Sequence, residues 1–142
     1  MVDLLPRIII FLDDSPERAS LAYQRMPEEA RERTIWCKTA LECIITLRDY
    51  WDRLESVSLD HDLGGKDSFP MDSRNEESGM QVVRYIEELS QLRPGLIEHW
   101  KKEHVMFTIH SWNVYSALQM KDRLQVLGLT VRYKPFGTNK II

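Results

Sequence analysis

Asp13-Asp14, Asp60-His61-Asp62, His110-Ser111 and Lys134 are the groups in this chain best suited to metal or phosphate chemistry, and each follows an apolar run. The runs are Ile8-Ile9-Ile10-Phe11-Leu12, Val57-Ser58-Leu59, Val105-Met106-Phe107-Thr108-Ile109 and Leu129-Thr130-Val131-Arg132-Tyr133. Hard cations prefer carboxylate oxygens, and carboxylates crowded into a cleft without a cation are electrostatically costly. Asp13, Asp14, Asp60 and Asp62 are therefore predicted to ligate a divalent cation, Mg²⁺ or, because His61 adds an imidazole, Mn²⁺. His110 and His61 carry the side chain that exchanges protons near neutral pH, so either is a predicted acid for a departing alkoxide. The Lys134 ammonium is suited to neutralising phosphate charge. Ser111 offers a hydroxyl, and its backbone N–H with that of Trp112 opens the helix capped by Asn113, a natural place for an anion. Bland roles compete with these. Ser111 and Asn113 would simply cap the helix, Trp112 would pack rather than stack on a base or ribose, and His61 would face the sheet.

These groups share a site only if the elements bring them together. Short β-rich runs that stop at charged residues and alternate with helical patterns read as buried parallel strands. The carboxyl ends of such strands share one edge of the sheet, where open α/β sheets bind ligands. Ser15-Pro16-Glu17 supplies a cap, a first-position proline and a first-turn acid for a helix with Ala19, Ala22, Tyr23 and Met26 on its apolar face, ending at Pro27. Thr34–Cys37 is a shorter strand, placed at or near an edge. Thr39 caps a helix through Trp51 with Leu41, Ile44, Ile45, Leu47 and Leu54 on or near the packed side, and the third strand comes next at Ser56–Leu59.

The polar stretch 64–77 exceeds the usual strand-to-helix connection and is predicted to be a flap beside the site, from which Lys66 and Arg74 reach phosphate or a second nucleotide. Ser78-Gly79 opens a helix with Met80, Val83, Ile86 and Leu89 on its stripe; a short helix covers Leu96–Lys102, and Asn113 caps another through Val126 that Gly128 ends. The pattern predicts one domain over residues 1–142, a doubly wound five-stranded parallel sheet with the first strand central. The eight residues after Lys134 are too few for a closing helix. That predicts a half-exposed face beside the first helix, covered by a second copy of the chain, a homodimer, or by the short helix or flap.

At 142 residues the chain can bury a full core without disulfides or a structural metal. A net charge of −3 provides no basic field for long nucleic acid and suits a small anionic ligand held by a local site. Cys37 and Cys43 have no metal or CxxC spacing and read as buried thiols of a reducing compartment. Met1-Val2-Asp3 carries no basic leader, and no apolar run approaches the roughly 20 residues of a membrane span, which predicts a soluble cytoplasmic protein. A P-loop, a GxGxxG and a GxSxG elbow are all missing.

With these residues placed, the chain resembles the receiver domains of two-component signalling, a flavodoxin-like fold with strand order 2-1-3-4-5. Asp13-Asp14 looks like the receiver acidic pair, Asp60 like the phospho-accepting aspartate, and Lys134-Pro135-Phe136 like the Lys-Pro-Phe signature. The elements Leu59-Asp60-His61-Asp62-Leu63-Gly64 and Ile109-His110-Ser111-Trp112-Asn113 depart from ordinary receivers and are similar to the cyclic-phosphate-processing receiver domains. That resemblance implies hydrolysis of a cyclic phosphodiester, a cyclic nucleotide or a 2′,3′-cyclic phosphate. A phospho-accepting receiver using Asp60 and an inert protein that sequesters a cyclic nucleotide are the alternatives.

Overall fold

A computed structural model describes residues 5–63 and 78–135. The predicted flap, with Lys66 and Arg74, lies outside the described residues, as do Phe136 and the residues after it. Five strands, β1 (Ile8–Leu12), β2 (Thr34–Cys37), β3 (Leu54–Leu59), β4 (Met106–Ile109) and β5 (Thr130–Tyr133), form a parallel sheet in the order β2-β1-β3-β4-β5. The most apolar strand, β1, is interior, and the weaker β2 takes an edge. The register sets Leu12 beside Cys37 and Leu59, Leu59 beside Ile109, and Ile109 beside Tyr133. The carboxyl ends of the strands are therefore level, and the residues after them emerge at one edge.

The helices are α1 (Pro16–Arg25), α2 (Glu28–Arg31), α3 (Ala40–Tyr50), α4 (Gly79–Leu92), α5 (Pro94–Lys102) and α6 (Val114–Val126). Side-chain caps start α1, α3 and α6, where Ser15, Thr39 and Asn113 accept the N–H of Arg18, Glu42 and Ser116. Ser78 and Gln81 close a capping box on α4. Gly128 ends α6 with φ +90°, its N–H bonded to the Gln125 carbonyl at 2.9 Å. No helix among the described residues is long and apolar enough to cross a membrane.

Alternation along the strands divides the sheet into two faces. Ile10, Leu12, Val57, Leu59, Phe107, Ile109 and Val131 join the main core with the buried sides of α3, α4, α5 and α6. On the other face Phe11 packs against Ala19 and Ala22 of α1, with Met26 and Trp36 at the margin. That second face carries Ser56, Ser58, Thr108, Thr130 and Arg132 along β3 to β5, and the Arg132 Nε donates to Thr108 Oγ1 at 3.0 Å. On this side, where an apolar face awaiting a second copy was expected, the strands carry polar side chains, of which Thr130 and Arg132 are exposed and Thr108 is buried.

Two local readings are also corrected, and one element is added. Leu41 and Ile45 are exposed while Cys43 is buried, because α3 turns its small-residue side, Ala40-Cys43-Leu47, to the sheet. Leu54 begins β3 instead of extending α3, since a single 3-10 turn at Trp51–Arg53 ends the helix. The turn Glu28–Arg31, too short to show a period, forms α2.

Candidate functional site

Asp13 lies one residue past β1, and its backbone is held on both sides: its N–H donates to the Cys37 carbonyl at 3.0 Å and its carbonyl accepts from Trp36 Nε1 at 2.7 Å. The carboxylate is wholly buried and accepts four hydrogen bonds. Its Oδ1 takes the Ser15 N–H at 2.9 Å and Arg18 Nη2 at 2.8 Å; its Oδ2 takes Arg18 Nε at 2.7 Å and His110 Nε2 at 3.0 Å. Burial pushes the carboxyl upward, but the bonds from His110, Arg18 and the Ser15 backbone outweigh it and hold Asp13 below the ordinary carboxylate range.

Asp60 comes directly after β3, with its N–H on the Leu12 carbonyl at 3.1 Å. It is also buried, yet its protein contact is weaker, a 3.3 Å approach of Arg18 Nη2 to Oδ2. Burial here prevails, pushing the carboxyl up to about 6 against the opposing pull of His110 and Arg18. Its Oδ1 makes no hydrogen bond among the described residues.

His110 leaves β4 only 4% exposed, stacked on Phe11 with ring centroids 4.7 Å apart. Nε2 faces the ionised Asp13, an acceptor only, so Nε2 carries a proton; Nδ1 meets Ser58 Oγ at 2.7 Å. Both nitrogens are engaged inside the protein. His61 differs: its Nδ1 bonds Asp62 Oδ1 at 2.6 Å, and Nε2 has no protein partner among the described residues.

The structure brings together Asp13, Asp60 and His110, whose ligand atoms lie within 4.8 Å of one another. Asp14 joins at the margin, 3.6 Å from Arg18 Nη2. Asp62 is paired with His61 instead and is 59% exposed. By residue type the buried trio suits a divalent cation, but its arrangement does not fit one. A carboxylate has about four lone-pair sites, and those of Asp13 all accept protein hydrogen bonds. The expectation of acids without a compensating base is corrected by Arg18, which touches Asp13, Asp14 and Asp60 at once. Sequence reasoning missed Arg18, although its position four residues after Asp14 on the first turns of α1 is the spacing of a helical ion pair. Ser58, which fixes the His110 ring, carried no signal beyond its place in a strand.

Of the other predicted residues, Ser111 is fully buried, its Oγ accepts the Asn113 N–H at 3.1 Å, and Asn113 caps α6, so both perform the capping role. Trp112 is 61% exposed beside them. Lys134 continues the ladder, its N–H on the Ile109 carbonyl at 2.9 Å, which sets it next to the start of the His110 segment.

With this geometry in view, the sequence matches the Cyclic-phosphate processing Receiver domain over residues 8–126. The chain belongs to that family. No curated protein matches it. Among solved structures it is similar to a chain of the CheX-CheY-BeF3-Mg complex from Borrelia burgdorferi, at TM-score 0.56 and 16% identity over 96% of this chain and 84% of that one. A response regulator receiver protein from Pseudomonas putida gives TM-score 0.54 at 15% identity, covering 98% of this chain and 94% of the other. The Saccharomyces cerevisiae complex of the phosphotransfer protein Ypd1 with the receiver domain of Ssk1 gives 0.53 at 13%, covering 98% and 86%. At such identities the likeness speaks for the receiver fold alone.

Proposed function

We propose that this member of the cyclic-phosphate processing receiver family hydrolyses a cyclic phosphodiester at the carboxyl edge of its sheet. The observation that carries the reading is Asp60: a buried carboxyl pushed to about 6 beside a guanidinium, with an Oδ1 that accepts no bond among the described residues. A general base works best when its pKa lies near the working pH, and at neutral pH Asp60 is largely ionised and basic enough to accept a proton. Water attacks phosphorus as Asp60 Oδ1 takes its proton; the ring P–O bond breaks, and the departing alkoxide is protonated, leaving a phosphomonoester and a free hydroxyl. His61 is the acid the geometry favours, because Asp62 orients its ring and leaves Nε2 open. His110 holds Asp13 and is a positioning residue. Arg18, one third exposed, has no partner for Nη1 among the described residues and offers those donors to phosphate oxygens, with Lys134 adding charge. The exposed indole of Trp112 gives a base or ribose a surface to stack on.

The purified chain is to be incubated with 2′,3′- and 3′,5′-cyclic mono- and oligonucleotides, in chelator and again with Mg²⁺ or Mn²⁺. The expected result is ring-opened product, with turnover lowered by ~10²–10⁴ in Asp60→Asn and in His61→Ala, the usual contribution of acid–base groups. His110→Ala is expected to lower turnover and stability together. Tight binding without product would make the chain a sequestering protein.

A second reading is favoured by the position of Asp60 directly after β3 of a receiver fold: its Oδ1 would attack a phosphoryl donor and carry the phosphate itself. Labelling of Asp60 by acetyl phosphate, absent in Asp60→Asn and without turnover of any cyclic substrate, would establish that reading over hydrolysis.

A further inference from the structure

We propose that Arg18 is the resident cation of this pocket and keeps Mg²⁺ and Mn²⁺ off Asp13 and Asp60. The guanidinium makes two bonds to Asp13, at 2.7 and 2.8 Å, in the planar fork that matches a carboxylate, and reaches Asp60 at 3.3 Å and Asp14 at 3.6 Å. A metal ion bound by Asp13 would have to break that fork, because the remaining lone pairs of Asp13 hold the Ser15 N–H and His110 Nε2.

Nor is the fork a chance surface contact. Arg18 is fixed to α1 one turn after its cap, with its own N–H on Ser15 Oγ at 3.2 Å, while Ala19 next to it is buried against Phe11. Asp13 is held independently from β2 by Trp36 and Cys37. Both partners are thus positioned by the fold before they meet, and little side-chain freedom is lost in pairing them. Nη2 and Nε point at the acids, and Nη1 has no partner among the described residues, so an anion reaching it is met by a guanidinium held in the protein. Asp14 stands at its margin, while Asp62 is paired with His61, and neither of these contacts displaces the fork.

This cation role shares its site with the hydrolysis reading but none of its chemistry, so ion binding tests it separately from turnover. Mn²⁺ is titrated into wild type and Arg18→Gln while backbone NMR signals are followed for paramagnetic broadening, with calorimetry for Mg²⁺. Wild type is expected to show no saturable broadening at residues 13 and 60. Arg18→Gln is expected to gain a saturable site that is lost again when Asp60→Asn is added, and Arg18→Lys, which keeps the charge, is expected to gain none. Saturable broadening of wild type at residues 13 and 60, removed by Asp60→Asn, overturns the proposal. So does a folded Arg18→Gln that binds no better than wild type. If Arg18→Gln does not fold, the wild-type titration alone decides.

Discussion

Asp13 and Asp60 are buried carboxyls at the ends of neighbouring strands, yet their surroundings push them in opposite directions. Burial raises both; only Asp13 has enough donors to end below the ordinary range. The consequences for stability have opposite signs. Asp13, lowered in the folded protein, contributes stability that is present above its unfolded value and lost as the pH falls through the folded one. Asp60 binds its proton more tightly folded than unfolded, so stability falls as the pH rises from its ordinary value of 3.8 to about 6. At roughly 1.4 kcal/mol per pH unit the full penalty on ionised Asp60 is about 3 kcal/mol at most. Asp60→Asn is therefore expected to stabilise the protein by about 1–3 kcal/mol near pH 7 and by almost nothing near pH 4. Urea unfolding at the two pH values measures this, and equal effects at both would place the raised proton affinity elsewhere. The residue types of this site could be read from the sequence. Their pairing could not, because which carboxylate a guanidinium bonds depends on how far α1 turns after Ser15.

At the scale of the element, the strand ends were the legible part. Four apolar runs stopping at charged residues correspond to β1, β3, β4 and β5; β1 has the same bounds, and the starts of the others are shifted by one to three residues. A strand covered on both faces is apolar along its length, as β1 is, so it announces itself without a partner. Helix faces were less legible. The apolar Leu41 and Ile45 pointed to one side of α3, whereas close approach to the sheet selects the smaller Ala40 and Cys43. The junction of β3 with α4 shows a constraint that sequence reading passed over. A Cβ on Gly79 would stand 2.1 Å from the Asp60 carbonyl oxygen and 2.8 Å from Met120 Cε, at the first position of α4, while a Cβ on Gly95 in α5 meets nothing within 4 Å. Gly79→Ala is thus expected to cost ~1–3 kcal/mol, as overpacking does, and to displace Asp60. Gly95→Ala is expected to stabilise by ~0.5–1 kcal/mol through the unfolded chain. Chemical denaturation of the two variants compares them, and a neutral Gly79→Ala would mean that α4 does not rest on Asp60.

At the scale of the whole molecule, the question is what covers the sheet. One face is closed by α3, α4, α5 and α6; on the other, among the described helices, α1 alone contributes to the buried cluster, around Phe11. A parallel sheet ordinarily needs cover on both faces, which made a second copy the economical expectation from sequence. The side chains answer it differently. Along β3 to β5 the α1 side presents Ser56, Ser58, Thr108, Thr130 and Arg132, and Thr130 and Arg132 are exposed as they stand. Burying these groups against a copy would strip water from hydroxyls and a guanidinium, a cost that only well-placed partners repay. The exposed apolar residues Val114, Tyr115 and Leu118 lie instead on α6, whose buried residues join the main core. The chain is accordingly expected to scatter light as a monomer at micromolar concentration, and Arg132→Ala to leave that mass unchanged. A dimer mass that Arg132→Ala abolished would show that the polar strands are an interface after all, with the guanidinium bonded across it.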